Sequence, residues 1–152
     1  MPFYPPSIRA FHIYAVIFEM SSSIMAKKIL FIEDDEALAG ALREKFQEGG
    51  FSVLMSFDGE AGLKMAEEER PDAILLDLVL PRKHGFEVLE ELKKTDRLSE
   101  IPVIVFTNLE SGEDIERAYS LGARAYLIKA NYSLGEVVKK VIDVLAQNEG
   151  RP

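Results

Sequence analysis

Residues 29–35 read Ile-Leu-Phe-Ile-Glu-Asp-Asp, an apolar run that leads directly into three carboxylates. Three more apolar runs end in a polar side chain in the same way: Ala73–Leu76 is followed by Asp77, Val103–Phe106 by Thr107, and Ala125–Ile128 by Lys129. In an open parallel sheet the carboxyl ends of the strands share one edge, and ligands bind there. The sequence therefore predicts one pocket that combines acids, a hydroxyl and an ammonium, a set that suits a divalent cation and a phosphoryl group.

From Lys27 onward, short apolar runs alternate with longer segments whose apolar residues recur every three or four positions. This alternation is typical of an α/β fold in which five βα units wind around a parallel sheet, with helices on both faces. The run Phe51–Phe57 is the most mixed in polarity and is therefore predicted to be an edge strand. Asp35 and Asp58 are each predicted to cap a helix, and Ala61 is predicted to face the core.

The chain of 152 residues is predicted to contain one folded domain at residues 27–147, preceded by an extension at 1–26 and followed by a polar tail at 148–152. The apolar part of the extension is too short to cross a bilayer, which needs about 20 apolar residues. We therefore expect no membrane insertion. Three interpretations of the extension stay open: a disordered segment, an arm that docks on the domain or on a partner, and an upstream misreading of a gene that starts at Met25.

Acidic side chains dominate the charge, because 26 Asp and Glu outnumber 18 Lys and Arg and the formal net charge is -8. The sequence has no basic stripe that would neutralise a run of phosphates, so we expect no nucleic-acid binding by this chain. Cysteine is absent, which excludes disulfides, thiolate metal sites and a cysteine nucleophile. These features agree with the reducing cytoplasm, where we expect the protein to be.

Glu33 and Asp34 lie where a strand gives way to a helix, a point at which phosphate-binding proteins place glycines. Carboxylates there repel phosphate and attract a hard cation, and Mg²⁺ takes one or two carboxylates together with waters and phosphate oxygens. Asp34 and Asp77 are predicted to supply the two carboxylates, with Glu33 acting through water. Asp77 is also a candidate nucleophile. The alternative is a group of helix caps, with Asp77 as an ordinary turn residue at a strand end.

Lys129 and Thr107 would add the remaining groups of a phosphoryl site. Lysine supplies a point charge for phosphate, and a threonine hydroxyl donates one hydrogen bond to a phosphoryl oxygen. Taken singly, Thr107 is also explained as a β-branched strand residue and Lys129 as a solvated strand end. Their joint placement with the acids at one sheet edge favours the phosphoryl site.

The chain resembles the receiver domain of two-component response regulators over about residues 27–147. The segments that carry the resemblance are Ile29–Asp35, Leu75–Pro81 with Gly85, Val105–Asn108 and Ala123–Lys129. The resemblance implies a flavodoxin-like, doubly wound sheet of five parallel strands in the order 2-1-3-4-5. We expect a single-domain type, similar to the chemotaxis and phosphorelay regulators.

The resemblance also implies roles for the residues of the pocket. Asp77 would accept a phosphoryl group from a histidine kinase or a phosphotransfer protein. Mg²⁺ would be bound by Asp34, Asp77 and the backbone carbonyl of Val79, with Glu33 in the outer shell through water. Lys129 would pair with the phosphoryl oxygens.

A switch and a readout surface follow from the same resemblance. Thr107 would turn inward to hydrogen-bond the acyl phosphate, and Tyr126 would move with it. The readout face would consist of the fourth helix, the fifth strand and the fifth helix of the domain, with Ile115, Tyr119, Tyr126 and Val137. The implied role is signalling to a downstream protein rather than metabolic catalysis, by a monomer or a weak phosphorylation-dependent dimer.

Two positions depart from the family pattern. Ala130 stands where the family usually has a proline in a cis bond; a cis bond before any other residue costs about 2.5 to 4 kcal/mol, so we expect a trans or a strained link. His84 stands where an acidic or amide residue is common, and we interpret it as a solvated loop residue.

Two alternatives to a phosphorylatable receiver stay open. A phosphatase of the haloacid dehalogenase class also uses an Asp nucleophile and Mg²⁺, but it needs a second Asp two residues later, where Val79 stands. The other alternative is a receiver fold that acts as a phosphorylation-independent interaction module. The complete set of acids, Asp77, Thr107 and Lys129 argues against that module.

Overall fold

One parallel sheet organises the part of the chain that the structure, a computed structural model, describes, namely residues 8–25 and 27–150. Its strands are β1 (Lys28–Ile32), β2 (Ser52–Ser56), β3 (Ala73–Leu76), β4 (Val103–Thr107) and β5 (Ala125–Ile128). They lie in the order β2-β1-β3-β4-β5, and every neighbouring pair is parallel. The predicted fold and strand order are therefore confirmed, as is the edge position of β2.

One helix precedes the first strand and one helix follows each strand, and the helices that follow the strands cover both faces of the sheet. They are α1 (Ile8–Met25), α2 (Glu36–Glu48), α3 (Gly59–Glu69), α4 (Gly85–Lys94), α5 (Gly112–Ser120) and α6 (Leu134–Glu149), with a short 3₁₀ turn at Lys129–Asn131. Successive strand residues point to opposite faces, so each face has its own core. Phe31 packs edge to face on Phe46 of α2, with ring centroids 5.1 Å apart, while Ile32 packs in the core on the other face with Leu89 of α4.

The two helix caps that the sequence predicts lie at the starts of α2 and α3. The Asp35 carboxylate accepts a hydrogen bond from the Leu38 amide at 3.1 Å, and Asp58 accepts one from the Ala61 amide at 2.8 Å. Such caps satisfy amides that have no partner within the helix. Both capping predictions are confirmed.

One residue of α3 lies on a different side of the helix from the side that the sequence predicts. Ala61 is exposed, whereas Gly62 is buried against Ile32 of β1. A β-carbon on Gly62 would lie 2.7 Å from the Ile32 Cδ1 atom, which is closer than real contacts allow. The prediction that Ala61 faces the core is wrong, because the missing side chain of Gly62 lets this side of the helix approach the sheet.

Helix α6 continues through Asn148 and Glu149. Glu149 forms an ion pair with Lys27 at 2.9 Å, and the Asn148 side chain accepts a hydrogen bond from the Arg124 guanidinium at 2.9 Å. These side-chain contacts connect the end of α6 to Lys27 and to the residue before β5.

Residues 8–25 of the predicted extension form helix α1, in which the side chains of Phe11, Ile13, Tyr14, Val16 and Ile17 are exposed. Across the described residues, no helix is long and apolar enough to cross a membrane. Residues 1–7 and 26 of the extension lie outside the described residues. The division of the chain at residue 26 stays a prediction.

Candidate functional site

The carboxyl edge of the sheet brings together the side chains that the sequence predicts to form a pocket. Strand register places the end of β1 beside the end of β3, since Ile32 pairs with Leu76, and β4 beside β5, since Thr107 pairs with Ile128. The ladder continues past β1 and β3: the Asp77 amide donates to the Ile32 carbonyl at 3.0 Å. Backbone bonds of the sheet thus hold the phosphoacceptor candidate in place.

Lys129 links the two buried acids of the pocket. Its ammonium donates to Glu33 Oε1 at 2.7 Å and to Asp77 Oδ2 at 2.8 Å. Both acidic side chains are only 6% exposed, and that of Lys129 is 13% exposed. Buried charges are tolerated when they are paired in this way, so Lys129 compensates the burial of the acids.

Glu33, Asp34 and Asp77 form an acidic cluster in which one ligand oxygen of each lies within 4.8 Å of the others. Asp34 is exposed, whereas Glu33 and Asp77 are buried. The second carboxylate oxygen of Glu33, Oε2, is buried without a hydrogen-bond partner. An orphaned buried oxygen beside two more carboxylates fits a hydrated hard cation, because Mg²⁺ uses carboxylates and retains waters that donate to neighbouring acceptors.

The protonation states of the pocket follow from burial and from Lys129. Burial raises the pKa of the Glu33 carboxyl to about 8, and the neighbouring Asp77 carboxylate adds to the shift while Lys129 opposes it. Burial alone would also raise the pKa of Asp77, but its interactions with the neighbouring Glu33, Lys129 and Thr107 side chains outweigh burial and lower that pKa. Of the two acids, Glu33 therefore holds a proton more tightly than Asp77, which favours an ionised Asp77.

Thr107 and Tyr126, the predicted switch pair, meet at one residue of the loop after β4. The buried Thr107 hydroxyl accepts a hydrogen bond from the Leu109 amide at 3.4 Å, and the Tyr126 hydroxyl donates to the Leu109 carbonyl at 2.7 Å. Burial raises the pKa of Tyr126 to about 12, so the hydroxyl keeps the proton that it donates. Thr107 and Tyr126 are therefore both hydrogen-bonded to the backbone of a single residue, Leu109.

Val79 follows Asp77 in the loop between β3 and α4. Its amide donates to Asp77 Oδ1 at 3.2 Å, which leaves one carboxylate oxygen of Asp77 bonded to the loop and the other to Lys129. The Val79 side chain is 52% exposed, so the backbone of this residue is its link to the site.

The two positions that depart from the family pattern have local explanations. The link at Ala130 is trans, since no cis peptide occurs in residues 8–25 and 27–150, and Ala130 lies within the 3₁₀ turn. His84 is exposed, as expected of a solvated residue, but it also caps α4: its Nδ1 accepts a hydrogen bond from the Phe86 amide at 3.3 Å. The sequence gives no signal for this cap, because histidine is not among the favoured capping residues.

The predicted readout residues differ in exposure. Tyr119 of α5 is exposed, and Ile115 and Tyr126 are half-buried. Val137 of α6 is fully buried in the core that also contains Phe106. The prediction that Val137 belongs to the readout face is therefore wrong, because its side of α6 packs in the core.

Comparisons with known proteins agree with this arrangement. Residues 29–142 match the family model described as response regulator receiver domain. The transcriptional regulatory protein CiaR of Streptococcus pneumoniae is 40% identical over 124 residues, which cover 82% of this chain and 53% of that protein. The alkaline phosphatase synthesis transcriptional regulatory protein PhoP of Bacillus subtilis is 34% identical over 125 residues, covering 82% and 51% respectively. The chain thus spans about half the length of these curated relatives.

Solved structures show the same fold. The receiver domain of the Francisella response regulator 1452 superposes with a TM-score of 0.74 at 28% identity, covering 80% of this chain and 98% of that one. The Mn²⁺-bound form of response regulator Rcp1 gives a TM-score of 0.69 at 31% identity, covering 83% and 97%.

Proposed function

This chain belongs to the response regulator receiver domain family, and from that premise we propose that it is phosphorylated on Asp77 by a histidine kinase or a phosphotransfer protein. Receiver domains of this family are signalling modules of two-component systems rather than classical enzymes. The observation that carries the proposal is the Lys129 ammonium, which contacts both Asp77 and Glu33 beside an exposed Asp34. This arrangement presents an ionised nucleophile next to a cation and a set of metal-binding oxygens.

The proposed phosphoryl transfer uses the negative charge of Asp77 and the positive charge of Lys129. A carboxylate oxygen of Asp77 forms a bond to phosphorus while the bond from phosphorus to the donor nitrogen breaks, and that nitrogen keeps the electron pair. Lys129 neutralises charge on the arriving phosphoryl group. When bound, Mg²⁺ would be held by Asp34, Asp77 and the Val79 carbonyl, with Glu33 through water, and would neutralise further charge on the transferring group.

The readout is proposed to start at Thr107. Its hydroxyl would donate to the phosphoryl group on Asp77, and the shared contact at Leu109 would carry the movement to Tyr126. The face of α5, β5 and α6, with exposed Tyr119, would then bind a downstream protein. Phosphorylation would act as a local charge change that biases a two-state element.

We also propose where this chain acts and with which kind of partner. The curated relatives are named as transcriptional regulators, and this chain spans about half of their length. With a net charge of -8, the chain is proposed to act in the cytoplasm through protein partners rather than nucleic acid, as a monomer or a weak phosphorylation-dependent dimer.

Asp34→Ala is expected to lower Mg²⁺ affinity at least about tenfold, which corresponds to about 1.4 kcal/mol, and to slow labelling by acetyl phosphate. Asp34 is exposed, so the free energy of unfolding is expected to change by less than about 0.5 kcal/mol. Isothermal titration calorimetry measures the affinity, and urea unfolding measures the stability.

The neighbouring acid provides the matched control. Asp35→Ala removes the α2 cap and is expected to cost about 1 kcal/mol of stability while leaving Mg²⁺ affinity unchanged. Equal Mg²⁺ affinity in Asp34→Ala and the parent protein would contradict the proposed metal site.

Mg²⁺ binding is expected to release a proton between about pH 6 and pH 8. Glu33 has a pKa of about 8 without metal and is therefore protonated in this range, and an arriving cation favours its ionised form. The logarithm of the affinity should rise by up to about one per pH unit and level off above pH 8. Calorimetry in buffers of different ionisation enthalpy counts the protons, and Glu33→Gln should release none; equal release in that variant would refute the assignment.

A further inference from the structure

The loop between β3 and α4 is held by a contact from outside its own βα unit. Gly59, the first residue of α3, is buried and donates its amide hydrogen to the Pro81 carbonyl at 3.4 Å. Within the loop, the Lys83 amide donates to the same Pro81 carbonyl at 2.8 Å, and the Gly85 amide closes the loop by donating to Leu78 at 2.8 Å. The start of α3 therefore packs directly against the middle of this loop.

The space around Gly59 has no room for a side chain. A β-carbon added there would overlap the Lys83 carbonyl oxygen and would lie 2.8 Å from Val88 Cγ2. By contrast, Gly40 of α2 has no atom within 4 Å of an added β-carbon. Glycine is a poorer helix former than alanine, so helix propensity does not explain Gly59.

The contact lies a few residues from the proposed metal ligands. Val79 is two residues before Pro81, and its amide is bonded to Asp77 Oδ1 at 3.2 Å. Between Pro81 and Lys83, Arg82 has a φ of 67°, in the left-handed region that is uncommon for a residue with a side chain. A backbone held in this way has little freedom to absorb a displacement locally, so a shift at 81–83 reaches Val79.

We propose that Gly59 is a positioning residue for the cation site: its bare α-carbon lets α3 hold the Pro81–Lys83 segment where Val79 is placed correctly beside Asp77. This inference rests on the proposed function, since it assumes that Mg²⁺ binds among Asp34, Asp77 and Val79. Gly59 itself touches neither the metal nor the phosphoryl group. It acts through the loop.

Gly59→Ala tests the proposal. The variant is expected to bind Mg²⁺ about tenfold more weakly, because about 1.4 kcal/mol of binding energy is lost when a ligand is displaced. In the metal-free protein, the backbone amide signals of Val79 and Lys83 are expected to shift in the NMR spectrum. Gly40→Ala, which adds the same methyl group in open space, should change neither quantity.

Two more variants distinguish a displaced loop from a general loss of protein stability. Leu145→Ala weakens the α6 core far from the loop and should lower the melting temperature while leaving Mg²⁺ affinity unchanged. Gly59→Ala combined with Val88→Ala relieves the side-chain overlap but not the overlap with the Lys83 carbonyl, so weak Mg²⁺ binding should persist. If Gly59→Ala alone does not fold, the Mg²⁺ affinity of this double variant tests the proposal instead.

The results that would refute the positioning role of Gly59 differ from those that would refute the proposed function. If the parent protein binds Mg²⁺ and both Gly59 variants bind it equally well with unshifted Val79 and Lys83 signals, the proposal is overturned. Restored affinity in the double variant would also overturn it, because core packing at Val88 would then be the cause. If the parent protein itself binds no Mg²⁺, the proposed function fails, while unshifted loop signals in Gly59→Ala would still refute the positioning role.

Discussion

Asp77→Asn is expected to fold and to take up no phosphoryl group from acetyl phosphate and Mg²⁺. The amide has nearly the same shape as the carboxylate but no negative charge, so it is not a nucleophile at neutral pH. Lys129 still has Glu33 as a partner at 2.7 Å, and its ammonium is therefore not left unpaired. Intact mass spectrometry measures the uptake, and the melting temperature reports the fold.

The control for this variant is Asp143→Asn, which changes an exposed carboxylate on α6. That protein should be labelled to the same extent as the parent. Labelling of Asp77→Asn at the parental level would mean that the acceptor is another residue.

Lys129→Met is expected to slow phosphorylation of Asp77 by about 100-fold, the usual cost of removing one donor aimed at a developing charge. The variant also leaves Glu33 and Asp77 buried together with no cation between them. Because Lys129 lowers the pKa of Asp77 in the parent protein, its removal should raise that pKa and make the nucleophilic form of Asp77 scarcer near neutral pH. The rate is measured from the time course of intact mass at a fixed acetyl phosphate concentration.

Lys139→Met is the matched control, because Lys139 is an exposed lysine on α6. It should be phosphorylated at the parental rate. A Lys129→Met protein that is labelled as fast as this control would exclude Lys129 from the transfer step.

The features that were predictable from sequence depend on local chemistry or on topology. Asp35 and Asp58 cap helices because short acceptor side chains satisfy free amides wherever a helix starts. Asp77 and Lys129 converge because parallel strands place their carboxyl ends at one edge, whatever the details of packing. Predicting such features requires no knowledge of side-chain contacts between distant elements.

The features that were not predictable depend on how distant elements fit together. Gly62 rather than Ala61 faces the sheet because Ile32 fills the space below α3. Val137 is buried because α6 packs closely on the sheet at that point. The apolar residues around it in the sequence do not indicate which side of the helix faces the sheet. The shared contact of Thr107 and Tyr126 with Leu109 also depends on the path of a loop, which periodicity does not describe.

The most direct test of the central claim locates the phosphoryl group after reaction with acetyl phosphate and Mg²⁺. Borohydride reduces a phosphorylated aspartate to homoserine, and tandem mass spectrometry of the digested protein then identifies the modified position. We expect one modification per chain, at residue 77, and none when Mg²⁺ is removed by a chelator. Homoserine at any other position, or none in a protein that binds Mg²⁺, would contradict the assignment of Asp77 as the phosphoacceptor.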